Sequence, residues 1–374
     1  MTATTARSPL WLATPSRYAG MTRNRARAVL LLLVVAMAAT LTALAAPAPP
    51  PATPDPDKPG QNRADIALYQ TMVAGVRAGG DYYRVAAHAQ RTGYYPVRPF
   101  FTMRLPTMVV LLALIPPWLA PLLLWGLCAG VIAAWYRRLQ SLLPGREHQL
   151  MALLLLASGM MAFVDRELVF FHEIWAGLLI ALSLAVWRPG RWIESAGIAL
   201  IAMLIRETAA LLPAVMCLMA LIEGRRREAL GWIATAVVLA IAVFFHAEAW
   251  ARVVRPDDSL SAGWLGLLGY GFFVRTMTLV TGLAIFPLWA AAPLVVLSIF
   301  GWSALRDPIG GRVVALFAAY GLLLAVFCRV DTYYWAMLIA PPLLVGLAFA
   351  VDGVRDLVAA AGSTRRITVT RTTP

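Results

Sequence analysis

Ionisable side chains are rare in this chain, and a small set of them lies at the ends of long apolar segments. The carboxylates of this set are Asp65, Asp81, Asp165, Glu167, Glu173, Glu207 and Asp331, and its arginines include Arg206 and Arg329. An arginine binds phosphate through a planar fork that stays charged, and a carboxylate accepts the proton of an attacking hydroxyl. These residue types suit group transfer from a lipid-linked phosphate at a membrane edge.

Other common chemistries lack their residues. The sequence has no Ser/His/Asp set, no GxSxG element and no HExxH motif, which disfavours ester or amide cleavage. The three cysteines are isolated in apolar runs and the four histidines are scattered, so we expect neither a disulfide framework nor a zinc site.

Composition decides which elements must position these residues. Of 374 residues 60% are hydrophobic and 14% are charged, whereas soluble domains have roughly 25% charged residues. This excludes a water-soluble enzyme. The net charge of +13 is an arginine charge, and the positive-inside rule accounts for it without a nucleic-acid partner, so we expect the lipid bilayer as partner instead.

The apolar runs predict an all-α integral membrane protein of about ten transmembrane helices, each near 20 residues long. The predicted spans are 28–47, 118–136, 148–164, 173–187, 192–205, 208–222, 229–246, 288–305, 313–328 and 333–350. Leu105–Ile115 is too short to span, and Phe286-Pro287 splits Tyr270–Phe286 from Leu288–Leu305. Leu105–Ile115 and Tyr270–Phe286 are therefore predicted to be interfacial or re-entrant helices.

The first loop is expected to be the largest outside the membrane. A proline-rich linker at 47–59 precedes two predicted amphipathic helices, Ala64–Ala78 and Tyr82–Arg91, which end at glycines. The predicted organisation is therefore an arginine-rich tail (1–27), a polytopic membrane domain (28–355) with its large outer loop at 48–117, and a second tail (356–374). The first helix is interpreted as an uncleaved anchor, since its apolar core is longer than that of a signal peptide.

The arginine distribution predicts the orientation. With these spans one side holds 19 basic and seven acidic residues, and the other holds thirteen basic and twelve acidic. The basic side is assigned to the cytoplasm together with both termini. The candidate functional residues then share the outer side, where ionisable groups at membrane depth must pair or line a cavity.

This order of features resembles the polytopic GT-C glycosyltransferases, which use polyprenyl-phosphate sugars. The resemblance covers residues 28–355 as a sequence of features, not as a strict motif. The matching features are Asp65-Ile-Ala-Leu-Tyr69, Gly80-Asp81-Tyr82-Tyr83, Tyr94-Tyr95-Pro96, Arg98-Pro99, Arg104-Leu105-Pro106, the second-loop acids, Arg206-Glu207, Arg329-Val-Asp331 and Pro341-Pro342.

The resemblance implies a GT-C-like fold, a polyprenyl-phosphate-linked sugar as donor and a bacterial plasma (inner) membrane location with the site on the periplasmic side. It places the catalytic base on Asp65, with Asp81 as the alternative, because the first loop has no clean acidic pair. It implies donor binding by Arg206, Arg329 and Arg104. Asp165 and Glu167 are similar to acidic pairs that hold a divalent cation in some members, whereas others need no metal.

Two other classes of function fit the same residues. A transporter or flippase of a lipid-linked or anionic substrate would use the arginines without a base, although the sequence has no internal repeat. A non-catalytic membrane scaffold would pair the charges among themselves and would have a closed outer face. Asp65 and Asp81 could also act only as helix caps.

Overall fold

Helices form the regular structure of the chain in a computed structural model that describes residues 8–48 and 63–362. The α-helices are α1 (Arg23–Ala39), α2 (Thr42–Ala45), α3 (Arg63–Arg77), α4 (Tyr82–Thr92), α5 (Thr107–Leu114), α6 (Leu119–Leu139), α7 (Arg146–Gly159), α8 (His172–Val186), α9 (Ile193–Ile205), α10 (Leu211–Ile222), α11 (Arg226–Ala251), α12 (Gly269–Leu279), α13 (Leu288–Ala304), α14 (Pro308–Phe327), α15 (Ala340–Leu343) and α16 (Gly346–Gly362). Short 3-10 helices cover Phe100–Thr102, Met161–Val164, Arg166–Phe170, Glu207–Ala210, Gly282–Ile285 and Val330–Leu338.

The chain is a multi-pass helical membrane protein. Within the described ranges four helical segments are long and apolar enough to cross a membrane: Arg23–Ala45, Leu119–Leu139, Arg226–Ala251 and Pro308–Phe327. The bent pair Val330–Leu338 and Ala340–Gly362 gives a fifth if it counts as one span. Further apolar helices have 10–17 residues, shorter than the roughly 20 that a straight span needs, so ten spans remain a prediction.

The predicted continuous helix over 333–350 is wrong. Val330–Leu338 forms a 3-10 helix, and the next helical segments continue at an angle of 63° to it. Pro341 and Pro342 lie at this break and lack the N–H groups that a continuing α-helix requires. The break brings Tyr334 and Trp335 to the end of the bundle that also carries Asp65. This end is the site face.

The helices of the large loop are confirmed. α3 and α4 match the two predicted amphipathic helices within one residue, and α5 is a helix of eight residues that ends before Pro116-Pro117. Arg77 at the end of α3 donates to the carbonyls of Leu112 (2.6 Å) and Ile115 (3.1 Å). It thereby satisfies carbonyls that the end of α5 leaves without intrahelical donors. The linker residues 49–62 lie outside the described residues.

The predicted N-terminal tail is only partly a tail. Residues 8–22 pack against the bundle, and the buried carboxylate of Asp352 accepts the backbone N–H groups of Leu10, Trp11 and Leu12 at 2.7–2.8 Å. At the other terminus α16 continues to Gly362, past the predicted boundary at 355. Residues 1–7 and 363–374 lie outside the described residues.

Loops that the charge count assigns to one side contact one another opposite the site face. The Arg138 guanidinium lies 2.5 Å from the Asp307 carboxylate, and Arg312 makes two bonds of 2.8 Å to Glu223. The first pair joins the last turn of α6 to the residue before α14, and the second joins α14 to the residue after α10. These pairs therefore hold the ends of α6, α10 and α14 together.

Candidate functional site

A cavity of about 160 Å³ opens at the site face, and polar side chains from distant parts of the sequence line it. Its ionisable lining residues are Asp65, Arg104, Arg329 and Asp331, and its other polar or aromatic ones include Tyr69, Gln90, Tyr95, Ser261, Trp264 and Tyr334. A cavity that brings carboxylate, guanidinium, amide and hydroxyl groups together is suited to bind a polar group of a ligand.

Asp65 lies in the first turn of α3 and is half-buried. The Tyr334 hydroxyl donates a hydrogen bond to Asp65 Oδ2 at 3.1 Å. Burial raises the pKa of this carboxyl, and the Tyr334 hydroxyl and the Arg104 charge offset part of that rise. A carboxylate with a raised pKa is a better proton acceptor than an ordinary aspartate, as general-base chemistry requires.

Arg104 follows the 3-10 turn at 100–102, and two bonds fix its backbone. The Tyr82 hydroxyl donates to the Arg104 carbonyl at 2.7 Å, and the next N–H, of Leu105, donates to Glu207 Oε1 at 3.0 Å. Arg104 is one of the residues that line the cavity, and its buried Nε has no hydrogen-bond partner among the described residues. A held cation with uncommitted donors at a cavity wall is suited to bind an anion.

Arg329 and Asp331 lie together on the cavity wall, as a pair. Arg329 Nε donates to Asp331 Oδ1 at 3.0 Å, and a second guanidinium nitrogen contacts Oδ2. Both side chains are about one-third exposed, at 37% and 35%. Such a pair exchanges partners at little cost because water solvates both charges. Arg329 can therefore turn toward a phosphate that enters the cavity.

Arg206 lies in a buried cluster with Glu173 and Glu207, and its Nη2 has no hydrogen-bond partner among the described residues. Its Nε donates to Glu173 at 2.6 Å with both side chains only 2% exposed, and Nη1 donates to Glu207 at 3.2 Å. Its guanidinium also lies 5.5 Å from the centre of the Trp335 ring. The structure does not bring Arg206, Glu173 or Glu207 to the cavity wall. Glu207 connects this cluster to the site, because its Oε1 accepts the hydrogen bond of the Leu105 N–H.

The remaining predicted acids lie away from the cavity. Asp81 is exposed and caps α4 by accepting the Arg84 N–H at 3.1 Å. Asp165 is exposed and accepts the Glu167 N–H at 2.9 Å at the start of a 3-10 helix. Glu167 lines a separate pocket. In residues 8–48 and 63–362 no three His, Cys, Asp or Glu side chains converge to hold a metal ion.

The connection between α11 and α12 supplies Ser261 and Trp264 to the cavity, a role that was not predicted from the sequence. Asp258 in this connection accepts two bonds from Arg91 of α4, at 2.6 and 2.8 Å. Backbone bonds join Ser259 and Ser261 to Arg98. The only sequence signal was the charged cluster at 255–258 in an otherwise apolar region, which marks a segment outside the membrane without saying what it covers.

An apolar groove of about 570 Å³ runs between α1, α12, α13 and α14. Its lining reaches Ala325, four residues before Arg329, and includes Ala36, Tyr270 and Phe317. α1 borders the groove, and only 17% of the residues in the most apolar part of Arg23–Ala45 are buried. The groove therefore provides an apolar space whose lining comes within four residues of Arg329 along the chain.

No protein-family model, curated protein or solved structure matches this chain.

Proposed function

We propose that the chain is a membrane glycosyltransferase of the GT-C type, which transfers a sugar from a polyprenyl-phosphate donor to an acceptor on the periplasmic side of a bacterial plasma membrane. The observation that carries the proposal is the cavity that Asp65 and Arg104 both line, with the Nε of Arg104 left without a hydrogen-bond partner among the described residues. A base and a phosphate-binding cation within one small cavity are the two parts that the reaction needs.

In this mechanism Arg104 binds the donor phosphate and Arg329 joins it after leaving Asp331. Asp65 accepts the proton of an acceptor hydroxyl as that oxygen bonds to the anomeric carbon. The bond between this carbon and the phosphate oxygen breaks, and the electron pair stays on the polyprenyl phosphate. Arginine charge at the phosphate stabilises the negative charge that develops on the leaving group. The apolar groove that reaches Ala325 receives the prenyl chain from the bilayer.

The proposed topology has ten spans with both termini in the cytoplasm. It is supported by the contacts among the basic loops opposite the site face, including Arg138 with Asp307 and Arg312 with Glu223. Short apolar helices such as α8 and α9 would complete their crossings with adjoining 3-10 segments. Cysteine labelling from either side of the membrane, at single positions introduced in the α10–α11 and α11–α12 connections, tests this orientation.

A scaffold fits less well, because it predicts a closed face and the structure has an open cavity there. A flippase fits less well because Asp65, Arg104 and Arg329 all lie at one end of the bundle, whereas alternating access uses a site near the bilayer midplane.

The decisive experiment compares Asp65→Asn with Asp81→Asn in vesicles that contain the purified protein. The assay follows radiolabel from a polyprenyl-phosphate hexose into acceptor in an added membrane extract. Loss of a general base lowers turnover by about 10²- to 10⁴-fold, which is expected for Asp65→Asn alone. Asp81→Asn is the matched control, because it makes the same chemical change at an exposed helix cap. Full activity of Asp65→Asn would refute the proposal.

A further inference from the structure

Gln90 of α4 lines the cavity and carries a buried hydrogen-bond acceptor without a partner among the described residues. Its side-chain nitrogen donates to the carbonyls of Pro96 (3.1 Å) and Thr102 (3.3 Å). Carbonyl oxygens only accept, so these two partners fix which end of the amide is nitrogen. The oxygen Oε1 then has no partner among the described residues, although Gln90 is only 3% exposed.

A buried acceptor without a partner is costly unless a ligand or a water donates to it. The amide is held by bonds to two segments of the loop between α4 and α5, so it cannot easily turn away. The position of Gln90 on the cavity wall makes the hydroxyl of a bound ligand a suitable donor.

Trp264 lies on the wall of the same cavity and supplies an aromatic surface. Its ring lies 5.1 Å from that of Phe101, and the two bonds between Arg91 and Asp258 hold its connection in place. The negative face of an indole ring attracts the weakly positive C–H groups of a sugar ring. The cavity thus combines an acceptor for a hydroxyl with a surface for an uncharged ring.

We propose that Gln90 and Trp264 form a sugar subsite that selects a neutral sugar over an acidic one, with one sugar hydroxyl donating to Gln90 Oε1. This inference rests on the proposed glycosyltransferase function and names the class of sugar that it uses. A uronic acid would place its carboxylate near Gln90 Oε1, Asp65 and Asp331, all of which are acceptors or negatively charged. Arg104 and Arg329 are assigned to the phosphate and would not neutralise it.

The test measures binding, so it needs no acceptor. Purified protein in detergent is titrated with polyprenyl phosphate, with a panel of neutral polyprenyl-phosphate hexoses and pentoses, with their monodeoxy analogues and with polyprenyl-phosphate uronic acids. Kd is obtained from ligand-dependent thermal stabilisation. We expect at least one neutral sugar to bind more tightly than the bare lipid phosphate, and removal of one hydroxyl to weaken it about ten- to hundredfold. The uronic acid donor is expected to bind more weakly than its neutral counterpart.

The variants Gln90→Met and Trp264→Ala assign the effect to residues. In Gln90→Met the ratio of Kd values between the deoxy and the intact donor is expected to fall toward one, and this ratio is independent of overall stability. Trp264→Ala should weaken sugar donors while leaving bare polyprenyl phosphate unchanged. If Gln90→Met does not fold, the deoxy series on the unmodified protein still tests the subsite.

The outcomes separate the two levels of the proposal. If bare polyprenyl phosphate binds but no sugar donor binds better, or if the uronic acid binds best, the subsite is overturned and the phosphate site stands. If removal of the sugar hydroxyl still weakens binding in Gln90→Met, that hydroxyl does not donate to Gln90 Oε1. Gln90 then binds only an ordered water, and its proposed role is overturned. If neither the lipid phosphate nor any donor binds, the proposed function fails, and this inference fails with it.

Discussion

Replacement of Arg206 tests whether this arginine supports the fold or binds the donor. In the structure it lies in a buried ion pair with Glu173, with both side chains 2% exposed and 2.6 Å between Nε and Oε1. A second bond reaches Glu207 at 3.2 Å. Arg206→Gln removes the charge and keeps most of the volume, so it leaves the Glu173 carboxylate buried without its counterion.

The expected cost follows from this burial. Removing one partner of a buried ion pair destabilises a protein by about 3–5 kcal/mol, because the remaining charge is left uncompensated. Replacing both partners with apolar residues of similar volume is often close to neutral. The double variant Arg206→Met with Glu173→Leu should therefore be more stable than either single variant. Arg329→Gln is the matched control, because its pair with Asp331 is about one-third exposed and is worth about 1 kcal/mol or less.

The assay is thermal unfolding in detergent, read by the fraction of protein that remains monodisperse after heating, together with the Kd for polyprenyl phosphate. Arg206→Gln is expected to lower Tm by several degrees more than Arg329→Gln does. Arg329→Gln is expected to weaken lipid-phosphate binding at nearly unchanged Tm. Equal Tm values for the two variants would contradict the structural role of Arg206. A Kd effect confined to Arg206→Gln would indicate that Arg206, not Arg329, binds the phosphate.

Three further predictions concern pH and the outlying acids. The pKa of Asp65 is raised, and the base must be ionised to accept a proton. A pH–rate profile should therefore show kcat/KM for transfer rising with pH around a midpoint above the pKa of an ordinary aspartate, about 3.9. Asp258 has a lowered pKa, chiefly through its bond from Arg91, so its contribution to stability is present above about pH 4 and is lost as pH falls through the lower folded value. Asp258→Asn should lower Tm at pH 7 and reduce its acid dependence. Asp165→Asn and Glu167→Gln, being outside the cavity, should change transfer less than about twofold.

The sequence allowed prediction of those parts of the fold that depend on local pattern. The amphipathic helices α3 and α4 and the short α5 follow from periodicity, glycine and proline within a few residues of each boundary. The break near Pro341 was missed because the apolar run continues across it, and hydropathy alone does not register a change of direction. The predicted spans placed Asp65 and Arg329 on the same side of the membrane, and in the structure both residues line one cavity.

The role of each arginine depended on contacts that sequence spacing does not contain. Apart from the charged cluster at 255–258, the sequence has no local signal that brings Trp264 to the cavity, because its connection is held by the bond between Arg91 and Asp258 across 167 residues. Arg206 and Glu207 are adjacent in an apolar stretch, which indicated a buried charge. The sequence could not indicate that Arg206 Nε would donate to Glu173.

The three arginines differ in how many of their donors the protein itself uses, and this difference determines what each can do. Arg206 is bound to Glu173 and Glu207 in a buried site, so releasing it for a ligand would leave two carboxylates uncompensated. Arg329 is bound to one exposed carboxylate, which water can solvate in its place. Arg104 is held through its backbone and lines the cavity, and its buried Nε has no hydrogen-bond partner among the described residues. Under the proposed function, a phosphate would displace the fewest existing contacts at Arg104, more at Arg329 and most at Arg206.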